Sequence, residues 1–150
     1  MTDIQGDDLI EIARSEADKT DRSAKRRKAE LKLTGRKLSY EDMPPKMLSA
    51  VRDKITGKIY IGKSGKPYPE KLHLEIETRK PDKSLTPWPI RNCSEIKACN
   101  NALQSRKHSK MEDLEIATVI LRNGKLKERC ENCKMTTAGA TVFTDGDIPK

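Results

Sequence analysis

The chain has 150 residues, enough for one ordinary domain with a buried core. Charged residues make up 36%, apolar residues 34% and aromatics 3%, so part of the chain is expected to pack poorly. The net charge of +8 suits nucleic acid or an acidic protein as partner, four cysteines are too few for a disulfide scaffold, and no apolar run reaches membrane-spanning length.

Met1 to Gly6 lack the basic-then-apolar pattern of a signal peptide. The first twenty residues are acidic, and Leu9, Ile10 and Ile12 can form one helical turn against a neighbour. Residues 19–37 turn basic around Lys25, Arg26, Arg27 and Lys28, with apolar positions too sparse for a buried face. Residues 1–40 are therefore expected to be a charged helix or tether ahead of a domain spanning 41–150. Order should begin near Tyr40, with Glu41-Asp42-Met43-Pro44-Pro45 opening a helix that buries Met47, Leu48 and Val51. Asp53 to Gly62 reads as a hairpin, Gly57 in its turn and Ile59 and Ile61 alternating inward.

Five prolines (Pro67, Pro69, Pro81, Pro87 and Pro89) predict a mostly irregular stretch over 66–91, with a short strand or turn at His73 to Ile76. A second helix should begin at Cys93, since Ile96, Cys99, Asn100 and Leu103 share one helical face. Leu114 to Arg122 is the strongest strand, followed by a turn at Asn123-Gly124. A short third helix from Cys130 and a last strand over Ala140 to Thr144 complete the order. Helix, hairpin, long loop, helix, strand, helix, strand describes an α/β chain: one sheet with helices packed on it.

Two short clusters carry the chemistry. Asn92-Cys93-Ser94-Glu95 and Arg129-Cys130-Glu131-Asn132-Cys133 supply three thiols and one carboxylate. Cys93, Cys130 and Cys133 make the three-ligand set of a catalytic zinc, with a fourth position open to water. Both clusters fall where a helix begins, and unpaired amides there favour the thiolate that the metal requires. Three thiolates also weaken the pull of zinc on water, so a base is needed, and Glu95 is placed to move protons. The competing reading is a structural zinc whose fourth ligand is Cys99 or a histidine. Cys99 lies about 600° around a helix from Cys93, on the apolar stripe, and reads as a core residue. His73 and His108 have polar neighbours and read as surface residues.

Cys93-x-Glu95 followed by Cys130-x-x-Cys133 resembles the cytidine-deaminase-like superfamily with a three-cysteine zinc site. With Ala98, Asn100-Asn101-Ala102-Leu103, Thr136-Thr137 and Gly139, the two clusters resemble the YwqJ-like deaminases, toxin domains of bacterial polymorphic secreted proteins. Gly57 to Gly62 with Ser64-Gly65 is similar to the first hairpin of that family, and the likeness covers roughly residues 45–146. Arg129 stands where the superfamily usually has proline, and Cys93 where it often has histidine; both are usual in toxin branches.

The resemblance implies a three-layer α/β/α fold with one mixed sheet of four or five strands. It implies Zn2+ on Cys93, Cys130 and Cys133 with Glu95 as the proton shuttle. The substrate would be cytosine in nucleic acid, DNA ahead of RNA, with water activated on the zinc as nucleophile. The Ser94 amide would meet a base carbonyl, Trp88 would stack on a base, and Ser64, Asn92 and Asn100 would line the rim. A monomeric secreted effector, acting in the cytoplasm of a recipient cell and restrained by a cognate immunity protein, is the corresponding biology, with no membrane partner. The rival expectation is a non-enzymatic zinc module that binds nucleic acid through Lys25 to Lys28.

Overall fold

The computed structural model describes residues 4–36 and 45–143. The expected onset of order at Tyr40, the run from Glu41 to Pro44, and Thr144 lie outside these residues. Within them, β1 (Met47–Asp53), β2 (Ile59–Lys63), β3 (Leu114–Ile120) and β4 (Thr141–Val142) form one mixed sheet in the order β2-β1-β3-β4. β1 is antiparallel to both neighbours, with Ala50 opposite Ile61 on one side and Ala117 on the other, whereas β3 and β4 run parallel. The chain is thus α/β, as its pattern predicts.

The segment expected to be a helix over Met47 to Val51 is the central strand β1. Its side chains are buried on both faces: Leu48 and Ala50 join one core cluster, and Val51 the other. A strand covered on both sides shows a continuous apolar run, which periodicity does not separate from a short buried helix. The hairpin turn falls where expected, with Gly57 at φ +75°, a left-handed conformation that glycine adopts without steric cost.

One helix, α1 (Ile4–Leu33), runs through both the acidic and the basic stretch. Leu9, Ala13 and Ala17, spaced four apart, are fully buried against Leu48, Ala50, Ala117 and Val119. The first half of α1 is therefore the cover of one sheet face, which a boundary at residue 40 hides. Alanines give this stripe little apolar weight, yet their small size lets the helix lie close to the strands. Residues 18–30 have no buried side chain and form the solvated charged helix expected of them, until Leu31 turns inward again.

The opposite face carries α2 (Leu74–Glu77), α3 (Ser94–Gln104) and α4 (Glu131–Thr136). Ile96, Cys99, Ala102 and Leu103 of α3 meet Val51, Leu114, Ile116, Leu72 and Ile76 in the second core cluster. Cys99 is a fully buried core residue, as read. The proline-rich stretch is irregular apart from α2, a single helical turn capped by His73, and a 3-10 turn over Ile90–Asn92. No helix among the described residues is long and apolar enough to cross a membrane.

Candidate metal centre

Each ligand cluster is delivered by the start of a helix. The 3-10 turn at 90–92 hands the chain to Cys93, the N-cap of α3, in an extended conformation (φ −72°, ψ 140°). Cys130 is the N-cap of α4 (φ −72°, ψ 169°), and Cys133 is its third helical residue. An N-cap side chain lies over the third residue of its helix, which is where serine or aspartate caps reach an amide. C-x-x-C at this location therefore brings two sulfurs together.

Depth is set by Gly62. A methyl group there would fall 2.4 Å from the Ser94 carbonyl oxygen and 2.6 Å from the Ala98 amide nitrogen. β2 and the first turn of α3 touch backbone to backbone, and α3 carries Cys93 and Glu95 down against the sheet. Beneath them runs a buried hydroxyl chain: Ser94 Oγ lies 2.7 Å from Ser49 Oγ, which lies 2.7 Å from Thr118 Oγ1. Ser94 Oγ also donates to Glu95 Oε2 at 3.3 Å.

The sulfurs of Cys93, Cys130 and Cys133 all lie within 4.8 Å of one another, with Cys93 and Cys130 at 3.5 Å. Sulfurs on a tetrahedral zinc, each about 2.3 Å from the metal, stand about 3.8 Å apart. All four cysteines are free thiols, and the group of three is largely buried. It can hold a metal ion, and the soft thiolate set suits zinc. Cys99 is not one of the group. Neither histidine is part of it; His73 Nδ1 accepts the Glu75 amide at 3.0 Å, and His108 is exposed.

The electrostatics favour one thiolate among the three. Hydrogen bonds from the Cys133 and Cys93 thiols, and then from the Cys133 and Asn132 amides, hold Cys130 down to about 2. Cys93 is pushed up to about 12, first because its proton bonds Cys130, and Cys133 is pushed up for the same reason. Glu95 Oε2 accepts from Cys133 Sγ at 3.5 Å. Burial, and then the charge on Cys130, push the Glu95 carboxyl above its usual range. Comparison with known proteins returns no match. No family model, curated protein or solved structure matches this chain.

The remaining candidates are placed as follows. Ser94 is fully buried, its hydroxyl engaged with Ser49 and Glu95. Ser64 Oγ accepts the amides of Lys46 and Met47 at 3.1 and 3.0 Å, which fixes the entry to β1. The Asn92 carbonyl accepts the Gly65 amide at 3.1 Å, and Lys97 Nζ donates to the Gly65 carbonyl, so the loop after β2 is held against the start of α3. Asn100 is buried and gives its whole amide to the 71–73 main chain, accepting from His73 N at 2.7 Å and donating to Lys71 O at 2.9 Å. Trp88 is 40% exposed on the irregular segment.

Asn132, Ser49, Thr118 and Gly62 are the site residues that motif reasoning passes over. Asn132 has a local signal, its place between two cysteines. Gly62 has one too, a glycine inside a strand pattern.

Proposed function

We propose that the chain is a zinc-dependent nucleobase deaminase of the YwqJ-like toxin type, on a cytidine-deaminase-like fold, acting on cytosine in DNA or RNA. The observation that carries this reading is the Glu95 carboxyl, buried and 3.5 Å from Cys133 Sγ, beside three sulfurs at zinc-binding distances. A structural zinc site has no use for a carboxyl group that touches a ligand sulfur without joining the ligand set. Zinc, when bound, supplies a Lewis acid that makes water a nucleophile near neutral pH.

Glu95 accepts the proton of the attacking water and delivers it to N3 of the ring while oxygen bonds to C4. It then carries the second proton to the departing amine, so that cytosine and water leave as uracil and ammonia. The Ser94 hydroxyl orients that carboxyl, and the Ser49–Thr118 pair orients Ser94. The three-layer arrangement supports the fold assignment, with α1 on one sheet face and α3 and α4 on the other. A secreted effector, acting in the recipient cell and held by an acidic immunity protein against its basic surface, belongs to the same proposal.

The test is to sequence DNA and RNA from cells expressing the chain beside its Glu95→Ala form. A C-to-T or C-to-U excess present only with Glu95 supports the reading and names the polymer. Equal mutation spectra with equal toxicity overturn it. The exposed run Lys25 to Lys28 on α1 supports a second reading, a non-catalytic zinc module that binds nucleic acid. In that case Glu95→Gln leaves binding and phenotype intact.

A further inference from the structure

Asn132 sits between the two cysteines of α4 with its side chain fully buried. A buried amide must be satisfied. Asn132 turns to one irregular segment: Oδ1 accepts the Leu85 amide at 2.7 Å, and Nδ2 donates to Ser84 Oγ and Thr86 Oγ1, each at 2.9 Å. Those two hydroxyls donate in turn to the Trp88 carbonyl, at 2.5 and 3.0 Å. After Trp88 the chain enters the 90–92 turn and reaches Cys93. The segment is therefore tied to one ligand cluster through Asn132 and to the other by the chain itself. Between these ties it leaves Leu85 and Trp88 at 53% and 40% exposure. Hydrogen bonds that fix a loop while leaving its apolar side chains in water do not serve core formation.

We propose that Asn132 is a positioning residue that holds residues 84–88 as a platform on which a planar nucleobase of a single strand stacks, with Trp88 as the contacting face. The inference deepens the deaminase reading and rests on it for the ligand class. Trp88 is the sole tryptophan, so its emission reports on the platform directly.

The experiment uses the zinc-loaded 150-residue chain carrying Glu95→Gln, so that no turnover intervenes, titrated with a cytosine-containing single-stranded oligodeoxynucleotide and its RNA counterpart. Quenching of Trp88 is expected. With Asn132→Ala, and separately with Ser84→Ala plus Thr86→Val, the midpoint should weaken about fivefold or more, the lower end of what one stacked base contributes. Zinc content should stay unchanged and unfolding cooperative in the Ser84/Thr86 variant, which keeps every side chain of α4, while the Asn132 amide left without its two acceptors lowers the melting temperature.

No quenching in the parent, or the same midpoint in the Ser84/Thr86 variant, overturns the platform. Asn132-dependent quenching, together with no deamination by the protein that retains Glu95, keeps the platform and ends the deaminase reading. Deamination by the Glu95 protein with an unchanged KM in both the Asn132 and the Ser84/Thr86 variants does the reverse.

Discussion

A carboxyl group at 5% exposure beside three sulfurs is a costly arrangement, and its value is open to test one atom at a time. Under the proposed function, Glu95→Gln keeps the shape and removes the group that shuttles protons. Deamination should fall by about 10²- to 10⁴-fold while zinc, measured by elemental analysis, stays at one per chain. Cys130→Ala leaves two sulfurs for a tetrahedral ion. That variant should emerge from gel filtration without zinc, and full retention would show that the sulfurs do not act together. Gly62→Ala drives a methyl group into the α3 backbone and should cost about 1–3 kcal/mol by thermal unfolding. Zinc affinity should fall with it, because Cys93 and Glu95 ride on the displaced turn; an unchanged melt would mean that the strand yields instead. Cys93 with Glu95, and Cys130 with Cys133, were legible because the spacing within each pair is local, although the two pairs meet across 37 residues. Ser49 and Thr118 were not: their hydroxyls meet across 69 residues, and Ser49 meets Ser94 across 45, a distance no motif spans.

β3 was legible although α1 covers one of its faces and α3 the other, because its run from Leu114 to Ile120 is rich in β-branched residues and long enough to read as a strand. α3 was legible from the spacing of Ile96, Cys99 and Leu103, and both expected positions hold. β1, shielded by α1 on one side and α3 on the other, mimics a helix in its pattern. The first half of α1 was hard to read for the opposite reason, since alanine at 13 and 17 contributes little hydrophobicity but permits close approach. Ala13→Glu places an unpaired charge against Leu48 and Val119 and should destabilise the fold by about 3 kcal/mol or more. Lys28→Glu, on the solvated half of the same helix, should stay within about 0.5 kcal/mol. Denaturant unfolding of the pair decides the matter; equal effects would mean that α1 does not cover the sheet in solution.

Across the whole molecule, Asp53 gathers distant segments. It ends β1 and accepts from Arg106, beyond α3, at 2.7 and 3.3 Å, while Arg106 also donates to Asp113, just before β3, at 2.7 Å. Burial pushes the Asp53 carboxyl up, but the Arg106 hydrogen bonds and charge with the Ile55 and Thr56 amides outweigh it and hold it below its ordinary 3.8. A depressed carboxyl stabilises the fold above its unfolded-state value and loses that contribution as pH falls through the folded one. The melting temperature should therefore drop as pH goes from about 5 to below the ordinary 3.8. Asp53→Asn should flatten the drop, and an equally steep profile in that variant would assign the acid sensitivity elsewhere.

By itself the amino-acid order determined the α/β character, the hairpin turn at Gly57 and the three cysteines that form a group able to hold a metal ion. These follow from short-range rules: the periods of helix and strand, the demands of a turn, and the spacing of ligands on one helical turn. Only the tertiary structure decided that β1 is a strand, that α1 roofs the sheet, and that Asn132 joins the irregular segment to the cysteines. Each of those depends on what stands opposite a residue in space, and burial between two layers erases the alternation from which a linear reading would infer it.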